Sequence, residues 1–287
     1  MKVIRGKKGL ITGAASGIGR EIALALAREG VHLYLVDVEE TQLAKVVDEA
    51  TALGVEAVGV RCDLSKPVEI SRTVRALLGQ WEHIDILVNN AGVAYYGPTD
   101  KMTAEQWDWL LGINLLAPVQ LTRELLPTLI ARPEAHILNV CSISGLVAGG
   151  RFAAYHVSKF GLVGFSEALR AEYSRRGLGV SALCPGPVRT NLYRAAASGK
   201  PGKAVPEPPA WLCASAEKVA QQAVVSIRKN RRLTLVSPMA HLLFNVKRFA
   251  PWFLDFLNHV QRKKRTKVAE TESRPAGTGK DEQRKAA

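Results

Sequence analysis

A tyrosine and a lysine four residues apart, Tyr155 and Lys159, have the spacing needed for proton transfer. If the segment from about residue 151 onward is a helix, side chains four apart project from one face, so the phenol and the ammonium share a surface. A free phenol has a pKa of about 10, and a fixed cation beside it favours the phenolate and lowers that value. The pair is therefore predicted to exchange a proton with a substrate near neutral pH.

Ser142 is a second residue suited to this chemistry. It lies thirteen residues before the tyrosine, at the end of a predicted strand over residues 135–141. Ligands of an open α/β sheet collect at the carboxyl ends of its strands, so the serine is expected in the same cleft. Its hydroxyl would hold a substrate oxygen while the tyrosine exchanges a proton with it. Because a Tyr/Lys pair also occurs on solvated helix faces, this interpretation depends on the surrounding motifs.

A glycine-rich turn near the N-terminus begins the set of elements that would position these residues. A short buried strand over residues 9–11 leads into the run TGAASGIG at 12–19, which is followed by a helical pattern. Strand, glycine turn and helix form the phosphate cradle of dinucleotide-binding proteins. Gly13 permits the tight turn, Gly17 lets a pyrophosphate approach the backbone, and Gly19 lets the helix pack on the strand. The helix N-terminus would then point its amides at the anion.

Asp37 is expected to select the cofactor. It ends a second predicted strand, over residues 32–36, and lies eighteen residues after Gly19. At about that spacing an acidic side chain accepts hydrogen bonds from the adenosine ribose. A carboxylate repels a 2′-phosphate, so the sequence predicts NAD(H) in preference to NADP(H). Asp37 could instead cap the helix that follows, and the two roles are compatible.

Predicted strands and helices alternate along the first 237 residues. Strands separated by helical patterns indicate a parallel sheet covered on both faces, so the predicted fold class is α/β, a doubly wound Rossmann fold. Asn89-Asn90-Ala91-Gly92 follows the fourth strand, where small and amide residues let a flat cofactor lie against the backbone. Asn114 falls midway in a helix predicted over residues 103–131. A buried asparagine at that position is costly unless its side chain is hydrogen-bonded, which indicates a functional partner.

The charge and cysteine patterns argue against several classes of protein. The formal net charge is +13, and residues 228–287 contribute 15 Lys and Arg against 5 Asp and Glu. The basic character therefore belongs to the C-terminal segment, which suggests an appendage that meets an anionic surface and not a nucleic-acid-binding domain. The cysteines are widely spaced, so neither a metal site nor a disulfide framework is expected. Since no secretory signal or apolar run of 18 residues is found, we expect a cytoplasmic protein.

Two segments near the C-terminal end have distinctive composition. Residues 186–215 follow the sixth strand and become rich in Pro, Gly and Ala, which predicts a mobile lid over the site or, alternatively, a plain surface loop. Residues 239–265 contain two amphipathic patterns followed by a basic run, and the first pattern places on one helical face Leu242, Leu243, Val246 and Phe249. Such helices bind peripherally to an anionic bilayer, and we expect this contact at the inner face of the membrane. Packing on the core or on a sister subunit is the alternative. Residues 266–287 are expected to be disordered.

Together these motifs resemble those of the short-chain dehydrogenase/reductase family. The resemblance covers residues 5–237 and rests on the glycine turn, Asp63, Asn89 to Gly92, Asn114, Ser142, Tyr155 with Lys159, and Pro185-Gly186. It implies a seven-stranded Rossmann domain over residues 1–238 and homodimers or homotetramers built on the long helices. Cys141 stands where many members have a second serine.

The resemblance also implies roles for individual residues. The implied catalytic tetrad is Asn114, Ser142, Tyr155 and Lys159. The implied cofactor contacts are Gly13, Ser16, Gly17, Ile18, Gly19, Asp37, Asp63, Leu64, Asn90, Ala91, Gly92, Tyr155, Lys159, Pro185, Gly186, Val188 and Thr190.

These inferences predict an NAD(P)-dependent oxidoreductase that interconverts a secondary alcohol and a ketone, or an aldehyde, on a hydrophobic, lipid-like substrate. A long-chain fatty aldehyde or acyl-CoA reductase is the alternative within the family, because similar tails occur in lipid-acting members. An inactive nucleotide-binding membrane scaffold is the alternative from another class, and the intact Ser142, Tyr155 and Lys159 argue against it. Nucleic-acid binding by the tail is not expected, since its basic residues interleave with an apolar face.

Overall fold

The structure is a computed structural model that describes residues 1–190, 192, 196–198, 205, 207–253 and 256. The chain forms two compact units, Met1–Phe244 and Asn245–Ala287. The predicted disordered tail at 266–287 lies outside the described residues, as do most of the second amphipathic pattern and part of the predicted lid.

A seven-stranded parallel sheet forms the centre of the first unit. Its strands are β1 (Lys8–Thr12), β2 (His32–Asp37), β3 (Ala57–Arg61), β4 (Ile86–Asn89), β6 (Ala135–Val140), β7 (Leu178–Pro185) and β9 (Leu233–Val236), in the order β3-β2-β1-β4-β6-β7-β9. The two short strands β5 (Tyr95–Tyr96) and β8 (Ala197–Ser198) pair separately. The predicted Rossmann fold class is therefore confirmed, and β1 and β4 flank the point where the strand order reverses.

Helices cover both faces of the sheet, which is why its central strands are continuous buried runs without polar and apolar alternation. The helices are α1 (Gly17–Arg28), α2 (Glu40–Ala52), α3 (Pro67–Trp81), α4 (Ala104–Leu111), α5 (Ala117–Ile130), α6 (Ala153–Tyr173), α7 (Ala216–Arg228) and α8 (Pro238–Phe249). The core on one face includes apolar residues of α1, α2 and α7. The core on the other includes those of α3 and α5. No helix in the described part of the chain is long and apolar enough to span a bilayer.

The single helix predicted over residues 103–131 is wrong in one detail. The run divides into α4 and α5, and between them Gly112–Leu116 forms one wider π-helical turn with Asn114 at its centre. Thr103 and Gln106 form a reciprocal capping box at the start of α4, which fixes where the run begins. Turns of this kind are found at functional sites, and this one sets the position of Asn114.

Candidate active site

A cleft of about 480 Å³ opens at the carboxyl ends of the strands. It is lined by residues that follow β1, β2, β3, β4, β6 and β7, so it lies where a doubly wound sheet binds its ligands. Every residue predicted to contact a cofactor or substrate lines this cleft, except Gly19 and Asn114. One cleft therefore brings together the glycine turn, Asp37, Ser142, Tyr155 and Lys159.

The glycine turn is built so that backbone and not side chains faces the cleft. Gly13 has a φ of +65°, and a Cβ there would lie 2.8 Å from the Cα of Ala91. Gly19 is buried, and a Cβ on it would overlap the carbonyl oxygen of Gly13. Gly19 is therefore a packing residue of α1, whereas Gly13 keeps the turn in contact with the loop after β4.

Thr12 and Asn90 connect the turn to that loop. The Asn90 Nδ2 donates to the carbonyl oxygens of Thr12 at 2.9 Å and Gly13 at 3.1 Å. In the other direction, the Thr12 Oγ1 accepts from the backbone N–H groups of Asn90 at 3.0 Å and Ala91 at 3.1 Å. These four bonds fix the two loops on either side of the switch point. The role of Thr12 could not be seen in the sequence, because it depends on β1 and β4 being neighbours.

The start of α1 suits an anionic group. Ser16 has an extended backbone at the N-cap position and makes no side-chain cap to the described amides of the first turn. Gly17 and Ile18 line the cleft, so unsatisfied amides and the positive end of the helix dipole lie at its wall. These features fit a phosphate.

The Asp37 carboxylate, at the end of β2, accepts three backbone hydrogen bonds that fix its position. Its Oδ2 accepts from the Ala15 N–H at 2.9 Å, and its Oδ1 accepts from Val38 at 2.7 Å and Glu39 at 3.1 Å. The carboxylate thus both supports the glycine turn and binds amides just before α2. Asp63 also lines the cleft. The Ser65 hydroxyl donates to Asp63 Oδ1 at 2.7 Å, and this bond is the main cause of the lowered pKa of the Asp63 carboxyl.

Lys159 lies under the ring of Tyr155. Its Nζ is 5.7 Å from the ring centroid and donates to the Val140 carbonyl oxygen at 2.9 Å. The lysine side chain is almost fully buried, and this burial lowers its pKa. An added Cβ at Gly92 would lie 3.6 Å from Nζ, so Gly92 leaves the ammonium close to the cleft. The charge is therefore positioned to stabilise an anion on the phenol.

Asn114 lies behind this pair and not in the cleft wall. Its Oδ1 accepts from the Val93 N–H at 2.8 Å, and its Nδ2 donates to the Val93 carbonyl at 2.8 Å and to Ser158 Oγ at 3.2 Å. Ser158 Oγ in turn donates to the Tyr155 carbonyl oxygen at 2.8 Å. The partner that the sequence indicated for Asn114 is therefore protein backbone. The asparagine ties the loop after β4 to the helix that carries the tyrosine.

Ser142 follows β6 and starts a short 3₁₀ turn. Its Oγ accepts from the Ser144 N–H at 3.1 Å. Since the hydroxyl is the acceptor in that bond, its own proton can be donated to a ligand oxygen. Ser142 and Tyr155 line the same cleft, so both side chains border the space in which a ligand would bind.

His156, beside the tyrosine, was not predicted to have a role. Its Nε2 accepts from the Gly149 N–H at 3.0 Å, so the ring proton is on Nδ1, which donates to the Ser144 carbonyl at 2.9 Å. The ring thus ties α6 to the loop that follows Ser142. The edge of the Phe152 ring also contacts this region, with its centroid 6.3 Å from that of Tyr155 and 5.0 Å from that of Tyr96.

Two further residues of the cleft come from the helix after the last strand. Met239 and Leu243 of α8 both line it. The sequence predicted Leu242 and Leu243 on one bilayer-facing side of this helix, and for Leu243 the structure shows a different environment. Leu242 is 62% exposed, whereas Leu243 lines the cleft. Helical periodicity shows that a face is apolar but not what covers it.

Known proteins resemble both the sequence and the structure. A family model described as short chain dehydrogenase matches residues 7–201. A CLA biosynthesis dehydrogenase/reductase of Lactiplantibacillus plantarum is 36% identical over 196 residues, 67% of this chain and 68% of the relative. A D-beta-hydroxybutyrate dehydrogenase of Cupriavidus necator is 34% identical over 192 residues, 67% of this chain and 74% of that protein.

Among solved structures, a short chain dehydrogenase/reductase from Burkholderia phymatum in complex with NAD superposes with a TM-score of 0.79. It is 29% identical, and the match covers 86% of this chain and 95% of that one.

Proposed function

This chain belongs to the short-chain dehydrogenase family, and we propose that it is an NAD-dependent enzyme that interconverts an apolar secondary alcohol and its ketone. The observation that carries the proposal is a single cleft lined by both the glycine turn and the Ser142, Tyr155 and Lys159 side chains. A nucleotide site alone would not need a proton donor at the carboxyl end of the sheet.

The proposed preference for NAD(H) depends on charge. The Asp37 carboxylate lies at the cleft wall, and among the cleft-lining residues that the structure describes Lys159 is the sole lysine or arginine. Lys159 is beside Tyr155, at the catalytic end. A 2′-phosphate near Asp37 would therefore meet an anion and no compensating cation, whereas a ribose hydroxyl could donate to the carboxylate.

The residues of the cleft divide the work of the reaction. A nicotinamide cofactor, held by the amides at the start of α1 and by Asp37, would supply or accept the hydride. In the reducing direction Tyr155 gives its proton to the substrate oxygen, and the Ser142 hydroxyl donates a hydrogen bond to the same atom. Lys159 stabilises the tyrosinate that results. In the oxidising direction the tyrosinate removes the proton from the alcohol.

The apolar character of the substrate is proposed from the remaining cleft wall. Beyond the nucleotide residues and the hydroxyls, the described lining side chains are apolar and include Val93, Phe152, Leu192, Met239 and Leu243. A substrate with one oxygen and an alkyl or ring portion would match this wall, because apolar surface is stabilised by removal from water.

A turnover screen tests the proposal. NADH and NADPH would each be supplied with methyl ketones, sterol ketones, long-chain aldehydes and acyl-CoA thioesters. We expect reduction of apolar ketones with NADH at a kcat/KM at least about tenfold above that with NADPH. Release of free CoA would instead identify an acyl-CoA reductase. Binding of nucleotide without turnover of any of these compounds would contradict the proposal and favour the scaffold.

We further propose that the second unit attaches the protein to an anionic bilayer. Its described aromatic side chains are exposed: Phe249 at 76%, Trp252 at 68%, Phe253 at 39% and Phe256 at 58%. Lys247 and Arg248 are exposed next to them. Aromatic and basic side chains together favour the interface of an anionic membrane.

Vesicle sedimentation tests the membrane proposal. Phe249→Ser combined with Trp252→Ser should reduce co-sedimentation with phosphatidylglycerol vesicles several-fold. Trp211→Ser, which alters another exposed aromatic residue (82% exposed), should have no effect. Equal sedimentation of the wild type and the double variant would exclude this mode of attachment.

We also propose that the protein forms a homodimer or homotetramer through a different exposed surface. Leu116 at the end of the π-helical turn and Val157 and Phe160 on α6 are exposed by 59%, 51% and 37%. Exposed apolar side chains on long helices suit a self-complementary interface. Val157→Arg should lower the mass measured by light scattering, and an unchanged mass would locate any interface elsewhere.

A further inference from the structure

The N-terminal end of α8 is fixed against the Pro185-Gly186 segment that closes β7. The Gly186 N–H donates to the Val236 carbonyl at 3.0 Å. A Cβ on Gly186 would lie 2.6 Å from Ser237 Oγ and 3.7 Å from Met239 Cε. The glycine therefore provides the space into which the turn between β9 and α8 packs.

The turn itself is held in an uncommon conformation. Ser237 has a φ of +108°, which is unfavourable for a residue other than glycine. Its Oγ accepts from the Ala240 N–H at 3.2 Å, and its carbonyl accepts from His241 Nδ1 at 2.9 Å. Ala240 is fully buried. These contacts fix the residue at which α8 starts and the face of α8 that packs against the rest of the protein.

Met239 and Leu243 are the residues that this placement brings to the cleft. They are four apart, so they share one face of α8, and both line the cleft. Leu242, between them in sequence, is 62% exposed. The helix thus has one face toward the cleft and another toward solvent within Met239–Leu243.

We infer that Met239 and Leu243 set the length of the apolar group that the enzyme accepts on the reacting carbon; this inference rests on the proposed function. The polar part of the cleft is assigned to the nucleotide and to the reacting oxygen. Phe152, whose ring contacts Tyr155, supplies apolar wall near the phenol. Met239 supplies wall near Gly186, and Leu243 lines the cleft one helical turn further along α8. An alkyl chain between these walls gains about fourfold in binding for each buried methylene.

Both residues lie beyond the segment that matches the family model. The family match ends at residue 201, and the residues at 239 and 243 follow it by a helix and a strand. Met is unbranched and adapts its shape to its contacts, while Leu is stiffer. Met239 is therefore expected to tolerate different substrates and Leu243 to set the limit.

A series of methyl ketones from butan-2-one to dodecan-2-one, reduced with NADH, tests the inference. Leu243→Ala and Met239→Ala remove wall and should move the best substrate to a longer chain by two or more carbons. Leu243→Trp fills the space and should lower the ratio of kcat/KM for dodecan-2-one over butan-2-one by at least about tenfold. The matched control is Leu242→Ala, which should retain the wild-type profile. The Kd for NADH should stay within about twofold in all variants.

A second measurement does not require turnover. In the presence of NAD⁺, which has no hydride to give to a ketone, the fluorescence of Leu243→Trp should respond to added decan-2-one, and that of Leu242→Trp should not. A fluorescence response in the variant, together with no turnover by the wild-type enzyme, would support the inference and contradict the proposed function. A chain-length profile that matches the wild type in Leu243→Ala and Leu243→Trp, or equal fluorescence responses at the two positions, would overturn the inference. If Leu243→Trp does not fold, the Leu243→Ala and Met239→Ala profiles decide.

Discussion

The proposed nucleotide half of the cleft and its proposed substrate half are built in different ways. The nucleotide half consists of backbone: glycines at special φ angles, amides at the start of α1, and loops held by Thr12 and Asn90. The substrate half consists of apolar side chains, Phe152 of the segment before α6 and Met239 and Leu243 of α8. The first half depends on a local motif, and the second depends on how distant segments pack together. Under the proposed function, cofactor use would depend mainly on local motifs, and substrate choice on how Phe152 packs on Tyr155 and how α8 packs on Gly186.

Tyr155→Phe, at the junction of the two halves, should have the largest effect. The variant loses the proton donor and keeps the ring, so we expect kcat to fall by about three orders of magnitude or more. NADH affinity measured by fluorescence titration should change little, because the nucleotide half is untouched. Turnover close to that of the wild type would show that another group supplies the proton.

Gly13→Ala should break the nucleotide half alone. The methyl would lie 2.8 Å from the Ala91 Cα at a φ of +65°, so the turn must shift. We expect NADH affinity to fall by about a hundredfold, measured by calorimetry. Gly6→Ala is the matched control, since Gly6 has a similar φ of +72° but no atom within 4 Å of its Cβ position. If both variants lose the same affinity, backbone strain and not the close approach is responsible.

Asp37→Ser combined with Val38→Arg should change the nucleotide preference and leave substrate choice alone. The pair removes an anion and adds a cation at the cleft wall. We expect kcat/KM with NADPH to exceed that with NADH, a reversal of about tenfold or more, with the same order of preferred ketones. Val38→Arg alone should give a smaller change, because the carboxylate that accepts from Ala15 remains.

Phe152→Leu should weaken the substrate half by a smaller amount. The variant loses the aromatic contacts to Tyr155 and Tyr96, which supports a fall of about fivefold in kcat/KM for the ketone. The Kd for NADH should be unchanged. A loss confined to NADH binding would contradict the division of the cleft into two halves.

Lys159→Met should lower turnover, because it removes the cation beside Tyr155, and it should also have a smaller, separately measurable effect on stability. Burial lowers the pKa of Lys159 from its ordinary 10.5, so the unfolded chain binds its proton more tightly than the folded one. Wild-type stability should therefore rise with pH up to that ordinary value. We expect the variant to be more stable at pH 7 by on the order of 1–3 kcal/mol. Urea unfolding at pH 7 and pH 9.5 would show the difference shrink; a variant that is less stable at pH 7 would show that the lysine contributes to the fold.

The two halves also differ in how far the sequence could predict them. The glycine turn, Asp37 and the Tyr155 pair are read from residue spacing, because each sits within one strand, turn or helix. The structure brings them into one cleft, as the doubly wound fold requires. The sequence also predicted a parallel, doubly wound sheet, since alternating strands and helices leave few arrangements.

The contributions that the sequence did not predict are tertiary. Phe152 lies at the start of a predicted helix, and Met239 and Leu243 lie in a predicted amphipathic helix, but the sequence assigned none of the three to the cleft. The partner of Asn114 is the backbone of Val93, which no spacing rule connects to residue 114. The Thr12 contacts with Asn90 and Ala91 likewise depend on the neighbouring strand.

The packing of α1 against α7 affects how the molecule is made. The apolar residues Ile22, Ala23 and Leu26 of α1 share a core with Val219 and Ile227 of α7. Roughly 190 residues separate the two helices. At about 5–20 residues per second, a ribosome therefore needs about ten to forty seconds after α1 to synthesise α7. During that interval the apolar face of α1 that packs on α7 stays exposed to solvent. A nascent chain stopped before residue 216 should therefore bind a chaperone.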